Sequence, residues 1–421
     1  MSRKPALSII IPTHNRSAIL AKNLAALGRQ TWPADTFEVL VVADSCRDDT
    51  ADVITAYAAQ SPYQLRLLAH DARSAAATRN VGTVHARGSV LLFLDDDIAA
   101  HPGLVRAHME AQHENGVVLG YSKPVLPARP SWHQRDAHRW WEDTFREMGR
   151  PGHRFTYRDF FSGNMSMPAA LFQQVGGFDV SFTGRLEDYE LGLRLLQAGA
   201  TFQFSWDAIG DHYDDNDLAQ WLRRITQEGV AYVQIGQRHP ELRTGLFAEF
   251  MGPAARWQRW ARWLAFAFPQ RGAALERLAL RQIALCEQFR IRGLWRKSLR
   301  VLREYNYCRG VASAIGGKRA LTSWLQDVPM PPCVLSDAPV IDMAALPAAD
   351  ALAELLAQAT TAGVRLAIDG IEVLAMLPQL GAEPLREEHL HDMLRQMARR
   401  KFIPALAMHT LRLAREVPNA H

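Results

Sequence analysis

Three carboxylates in a row, Asp95-Asp96-Asp97, follow the apolar run Leu91-Leu92-Phe93-Leu94. Adjacent anions repel one another, so they persist together where something cationic neutralises them. Hard oxygen ligands of this kind suit Mn²⁺ or Mg²⁺, which keep few protein ligands and complete their shells with phosphate and water. An ion held there could bridge a diphosphate and absorb the charge that builds on a leaving group. A solvated acidic turn is the plain alternative for the same residues. A second acidic pair, Glu187-Asp188, opens a stretch in which Leu191, Leu195 and Leu196 recur at helical spacing. A helix N-terminus favours carboxylates and leaves them aimed out of the element. One of them could take the proton from an attacking hydroxyl, although first-turn acids also simply cap helices. His212, after the polar stretch 207–211, could add a neutral imidazole nitrogen to a metal, whereas a lone histidine is more often structural.

These groups need a scaffold, and the pattern around them supplies one. Apolar runs at 7–11, 38–42, 65–69 and 90–94 alternate with helix-spaced stretches at 17–30, 50–59 and 75–86. Such alternation predicts βαβ units and an α/β fold with a mostly parallel sheet covered on both faces. Ligands bind beyond the carboxyl ends of such strands, and the polar clusters 13–16, 44–49, 70–74 and 95–97 fall at those ends. Residues 121–160, rich in Pro, Trp, His and Arg, read as an inserted loop and helix, and 161–213 return to a compact pattern that places 207–211 beyond a strand. From about 217 the chain reads as mostly helical, and between 254 and 310 it carries 13 Lys and Arg against three Glu, a local net charge of +10. The expected organisation is an α/β domain over 1–240 that carries the candidate chemistry, a basic, Trp-containing helical region over 241–334, and a small α/β appendage over 335–421 with strands at 340–343 and 364–368.

At 421 residues, 48% hydrophobic and 22% charged, the chain has the composition of a globular protein of two or three domains. A net charge of only +4, with no recognition motif, points away from nucleic acid. Cys46, Cys286, Cys308 and Cys333 are scattered, which disfavours a zinc module or a disulfide framework and fits a reducing compartment. The N-terminus reads without a signal peptide, and no apolar run approaches the roughly 20 residues of a membrane span. The expected location is the cytoplasm, with peripheral contact at the inner face of the membrane as an option.

The ordered set Ile11-Pro12-Thr13-His14-Asn15-Arg16, Val42-Ala43-Asp44-Ser45, Arg79-Asn80-Val81-Gly82, Asp95–Asp97, Gly163-Asn164, Gly176-Gly177-Phe178-Asp179, Glu187-Asp188 and His212 resembles the family 2 glycosyltransferases, over about residues 6–240. The resemblance implies a GT-A fold and a non-processive bacterial enzyme that moves a sugar, most often from a UDP-sugar, with inversion by direct displacement. It implies that Pro12, Thr13, Asn15 and Arg16 line the nucleotide pocket, that Asp44 contacts the base, and that Arg79 helps hold the nucleotide. Asp95 would approach the ribose, Asp97 would hold the metal with His212 completing that site, and Asp96 would share one of these tasks. Asn164 would lie near the donor sugar, Asp188 would be the base and Glu187 would help seat the acceptor. Two departures stand out. The loop after the second strand usually reads Asp-Asp-Gly-Ser, and here Ala43 replaces the first acid; the Gln-x-x-Arg-Trp motif of processive relatives is here Gln220-Trp221-Leu222-Arg223-Arg224. The acceptor stays open between a saccharide, a lipid-linked sugar, a peptide and a small molecule. A nucleotidyltransferase would need a Gly- and Lys-rich loop where Pro12–Arg16 has neither, and a catalytically silent sugar-nucleotide binder would not need a base.

The basic stretch carries Arg256, Arg259 and Arg262 beside Trp257, Trp260, Trp263 and Phe266, then Arg292, Arg296, Lys297, Arg300 and Arg303 near Trp295. Basic helices with Trp suit an anionic bilayer surface, and equally an acidic acceptor or another subunit. The plain alternative is a solvated helical face whose aromatics pack inward. Trp132, Trp140 and Trp141 could form a stacking wall for an acceptor or pack as core.

Overall fold

The computed structural model describes residues 4–71, 74–182, 184–214, 216–243, 254–268, 272–327 and 335–398. They fall into two compact units, one within 1–146 and 156–329, the other within 147–155 and 330–421. Cys333 and the Pro-rich stretch 329–332 lie outside the described residues.

In the first unit, strands β1 (Leu7–Thr13), β2 (Phe37–Asp44), β3 (Gln64–His70) and β4 (Val90–Leu94) alternate with helices α1 (Ser17–Leu27), α2 (Thr50–Ala58) and α3 (Ala75–His85). All eight residues of β2 are buried, as a strand covered by helices on both faces requires. Then follow β5 (Ile98–Ala100), α4 (Leu104–Ala111), β6 (Gly116–Pro124), α5 (Trp132–Met148), β7 (Asn164–Pro168), α6 (Ala169–Gln174), α7 (Glu187–Gln197), β8 (Thr201–His212) and α8 (Leu218–Arg238). The eight strands form one sheet in the order β3-β2-β1-β4-β7-β6-β8-β5. Neighbours from β3 to β4 run parallel, as do β6 and β8, while β7 and β5 pair antiparallel. The expected α/β fold is therefore present, with two antiparallel strands added to it. Residues 207–211 lie within β8 rather than beyond a strand, because the parallel ladder with β6 resumes after a bulge and carries the pairing to His212. The inserted segment likewise begins as the end of β6 before its helix.

The core under β1, β2 and β4 is built from Leu7, Ile9, Ile11, Leu20, Leu24, Val39, Val41, Leu92 and Leu94. Its function is positional: it fixes the ends of three parallel strands at Thr13, Asp44 and Leu94, so that the polar residues after each emerge at one edge.

Four further helices belong to the same unit: α9 (Arg256–Ala267), α10 (Gly272–Gln288), α11 (Arg292–Ile315) and α12 (Lys318–Gln326). The α8 and α11 backbones meet at Gly229 and Gly310, where a methyl group on either would run into the other helix at Tyr307 O or Thr226 O. Among the described residues no helix is long and apolar enough to cross a membrane.

The second unit holds β9 (Val340–Asp342), α13 (Ala349–Ala362), β10 (Val364–Ile368), β11 (Ile371–Met376) and α14 (Glu387–Ala398), with the strands ordered β11-β10-β9. Its core is Ile341, Leu352, Leu356, Leu366, Leu385 and Leu390. Segment 147–155 is tied to it by Glu383, which accepts the Phe155 N–H at 2.9 Å, and by the Arg150–Asp392 pair at 2.7 Å.

Candidate active site

The ends of β1, β2 and β4, the start of α7 and the end of β8 open on one cavity of about 1250 Å³. Asp95–Asp97 form the turn that leaves β4. It is held by the Asp95 N–H donating to Gly163 O at 2.8 Å and the Tyr213 N–H donating to Asp97 O at 3.0 Å. A Cβ at Gly163 would sit 2.7 Å from Asp95 Oδ2, so a larger residue there would have to displace that carboxylate.

The acidic turn carries its own counter-charges. Arg16 Nη1 donates to Asp96 Oδ1 at 2.9 Å and to Asp97 Oδ2 at 2.8 Å, and Thr13 Oγ1 donates to Asp96 Oδ2 at 2.7 Å. Arg79, only 5% exposed, reaches Asp95 Oδ1 at 2.8 Å with one nitrogen and Glu187 Oε1 at 3.0 Å with the other. The cationic neutralisation that three adjacent acids call for comes in part from the chain itself: two of its arginines lie against them. Burial still pushes the Asp96 carboxyl up to about 7 against the pull of Arg16, and raises Asp97 as well, with His212 opposing.

Arg79 is the tie between the turn after β4 and the first turn of α7. Arg79→Met should leave Asp95 and Glu187 facing each other without a cation, with a loss of about 3 kcal/mol in urea unfolding. That is the low end for a broken buried pair because the Asp95 side chain is 36% exposed. A loss under about 1 kcal/mol would make the pair no stronger than a surface ion pair.

The α7 start is set by Leu186 in the left-handed region at φ 65°, after which Glu187 and Asp188 occupy the first turn. Arg79 engages Glu187. Asp188 accepts the Tyr189 N–H at 2.9 Å, and burial followed by the neighbouring Glu187 pushes its carboxyl up to about 7 against Arg185 and Arg79.

At the end of β8, His212 Nε2 lies 3.7 Å from Asp97 Oδ1. Both Asp97 Oδ1 and His212 Nδ1 are buried without a hydrogen-bond partner, which costs free energy unless something polar completes the site. Among the described residues no group of three or more His, Cys, Asp or Glu could hold a metal. An Asp–His pair is nevertheless enough for Mn²⁺ or Mg²⁺ where phosphate and water supply the other positions, so these residues fit such an ion.

Of the residues singled out from the sequence, Pro12, Thr13, Asn15, Arg16, Asp44, Arg79, Asp95, Asp96, Asp97, Glu187, Asp188 and His212 all line this cavity. Asn15 adopts a left-handed backbone at φ 52° and its Oδ1 accepts the Arg47 N–H at 2.7 Å, which locks the β1 loop to the β2 loop. The Asp44 carboxylate accepts Ser74 N–H at 3.0 Å, Thr78 Oγ1–H at 2.9 Å and Ser45 Oγ–H at 3.0 Å, fixing the end of β2 to α3. Asn164 is not brought to the cavity. The register of β7 turns it into the core, where it contacts His108 Nε2 at 2.9 Å and donates to Ala208 O at 2.9 Å.

The sequence reading missed a set of residues on α8. Trp221, Arg224, Ile225, Glu228 and Tyr232 line the cavity, one stripe at helical spacing, and Arg185 before α7 pairs with Glu228 at 3.4 Å. The departed motif at 220–224 was the available signal.

Residues 8–176 match glycosyl transferase family 2, and residues 143–214 match the N-terminal domain of galactosyltransferase. The first match takes in the ends of β1, β2 and β4 together with the acidic turn. Residues 8–176 are a family 2 glycosyl transferase domain. The family 2 domain has relatives of named activity. Validoxylamine A glucosyltransferase of Streptomyces hygroscopicus subsp. jinggangensis is 34% identical over 236 residues, covering 50% of this chain and 56% of that protein. Chondroitin synthase of Escherichia coli is 26% identical over 272 residues, covering 56% of this chain and 38% of that protein. The chain thus spans about half the length of the first curated relatives it matches, 56% and 52%. Among solved structures, a mannosyltransferase from Pyrobaculum calidifontis, in complex with GDP-Man and Mn²⁺, is similar with a TM-score of 0.50 and 17% identity, covering 74% of this chain and 87% of that one. The fold is of the GT-A type.

Proposed function

We propose that this protein transfers a sugar from a nucleotide-diphosphate sugar, a UDP-sugar by the family's habit, to a hydroxyl of a saccharide-type acceptor with inversion. The observation that carries this reading is the meeting, in one cavity, of the acidic turn after β4 and the acids that open α7, joined through Arg79. The acceptor oxygen attacks the anomeric carbon as the bond to the diphosphate breaks, the proton passes to Asp188, and the nucleoside diphosphate leaves. Asp188 suits this task because burial lifts its carboxyl to about 7, where a base is ionised near neutral pH yet still basic enough to accept a proton. Glu187, held by Arg79, is placed to seat the acceptor. Thr13, Asn15 and Arg16 shape the nucleotide end, and Asp44 braces it. A divalent ion at Asp97 and His212 would draw charge off the departing diphosphate.

A melting screen against UDP, GDP, dTDP, CMP and their common sugar conjugates, with and without Mn²⁺ or Mg²⁺, tests the reading. A donor at about 100 times its Kd stabilises the protein by about 2.7 kcal/mol, a rise of several degrees for a unit of this size. The expected result is a metal-dependent rise confined to one nucleotide family. Absence of a rise with every nucleotide and both metals would sink the proposal. Because Ala43 stands where relatives carry an acid, the base is the feature the screen must decide.

A further inference from the structure

We infer that the acceptor carries an anionic group, phosphate or carboxylate, and that Arg300 and Arg303 of α11 receive it. The inference rests on the transferase reading, and its two arginines stand on α11, beyond the residues of the family 2 match.

One wall of the cavity is made by α5, α8 and α11. His133, Trp140 and Trp141 line the cavity from α5, the α8 stripe from Trp221 to Tyr232 from the next helix, and Leu299, Arg300 and Arg303 from α11. Residues 299, 300 and 303 share one helical face. The placement is fixed from behind by packing. Leu299 joins a cluster with Trp132, Leu218, Trp221, Leu222 and Trp295, the Trp132 and Trp295 rings meet edge to face at 5.5 Å, and the His133 and Trp221 rings lie 4.8 Å apart. The Gly229–Gly310 crossing brings α11 against α8. The two arginines therefore reach the cavity from this wall, not from the strand ends where the acidic turn lies.

Charge pairing and exposure together narrow the choice among the cavity's arginines. Arg16 is paired with Asp96 and Asp97, Arg79 with Asp95 and Glu187, and Arg185 with Glu228. Asp136, the acid that α5 brings to the cavity, has Arg292 at 3.9 Å. Arg47, Arg224, Arg300 and Arg303 have no carboxylate within ion-pair distance among the described residues; of these Arg47 lies in the loop after β2 and Arg224 is half-buried on α8, which leaves Arg300 and Arg303 as the exposed pair on the helical wall. Guanidinium groups are suited to bidentate recognition of phosphate or carboxylate. Trp140, 53% exposed, offers a ring face for a sugar beside them.

The test is calorimetric titration of the full chain, saturated with Mn²⁺ and UDP (or the nucleotide that the melting screen selects), with glucose, glucuronate and glucose 6-phosphate. The expected result is binding of one or both anionic sugars about tenfold or more tighter than glucose, an advantage that shrinks as salt is raised. A preference confined to one of them names the anion. The R300A/R303A variant should lose the preference while keeping its melting temperature and its affinity for the nucleotide, since both side chains are exposed. Equal binding of the three sugars, no detectable binding of any, or a preference that survives the double substitution overturns the inference. Failure of the nucleotide to bind sinks the transferase reading instead, and the anion titration can then be run on the free protein.

Discussion

Asp188→Asn is expected to lower sugar transfer by about 10²–10⁴-fold, the contribution typical of a positioned general base, while the metal-dependent melting shift with the donor nucleotide persists. The substitution keeps the shape of the side chain and its contact with the Tyr189 N–H, and removes only the ability to take up a proton. The pH profile adds a second readout. A carboxyl lifted to about 7 by burial is protonated at lower pH and useless as a base. The wild-type rate should therefore fall roughly tenfold per pH unit below about 7 and level off above it. In Asp188→Asn that limb should vanish. Glu187→Gln should behave differently, because Glu187 is held by Arg79 at 3.0 Å: its loss loosens positioning and affects acceptor KM more than the pH limb. Transfer by Asp188→Asn at the wild-type rate would remove Asp188 from the reaction, and a profile unchanged in shape would assign the limb to another group.

How far the sequence carries this picture depends on the range of each interaction. The β1 to β4 half was legible because parallel strands covered on both faces are forced into short apolar runs, and the polar residues after each run had to emerge at one edge. The residues that pair there were not legible. Arg16 meets Asp96 across 80 positions and Arg79 meets Glu187 across 108, and nothing in spacing announces such partners. Asn164 was legible as a member of a motif, but its direction was not, since a strand's register decides which face each side chain takes and β7 turns it onto His108. The basic helices illustrate a further limit. An arginine stripe reads the same whether it faces solvent, a membrane or a cavity; only the packed helices show that Arg300 and Arg303 of that stripe line the cavity, while Trp260 and Trp263 on α9 remain 57% and 58% exposed.

Asp97→Ala is expected to abolish the metal dependence of nucleotide binding and to lower transfer by about 10²–10³-fold, the usual cost of losing one group that stabilises charge on the departing atoms. The argument starts from what Asp97 lacks. Its Oδ2 is taken by Arg16 at 2.8 Å, but its Oδ1 is buried with no hydrogen bond, and His212 Nε2 lies 3.7 Å from it. A buried carboxylate oxygen in that state is a cost to the folded protein, so its removal should leave the metal-free melting temperature unchanged or slightly higher. A residue kept for packing or for its ion pair would do the opposite. Titration with Mn²⁺ followed by electron paramagnetic resonance separates binding from turnover: wild type should take up the ion in the presence of nucleotide, and Asp97→Ala should leave it free in solution. Asp96→Asn serves as the comparison, because both Asp96 oxygens are satisfied, one by Thr13 at the end of β1 and one by Arg16. Uptake of Mn²⁺ by Asp97→Ala with wild-type affinity would move the ion elsewhere in the cavity, and would return the acidic turn to a purely structural role built around its two arginines.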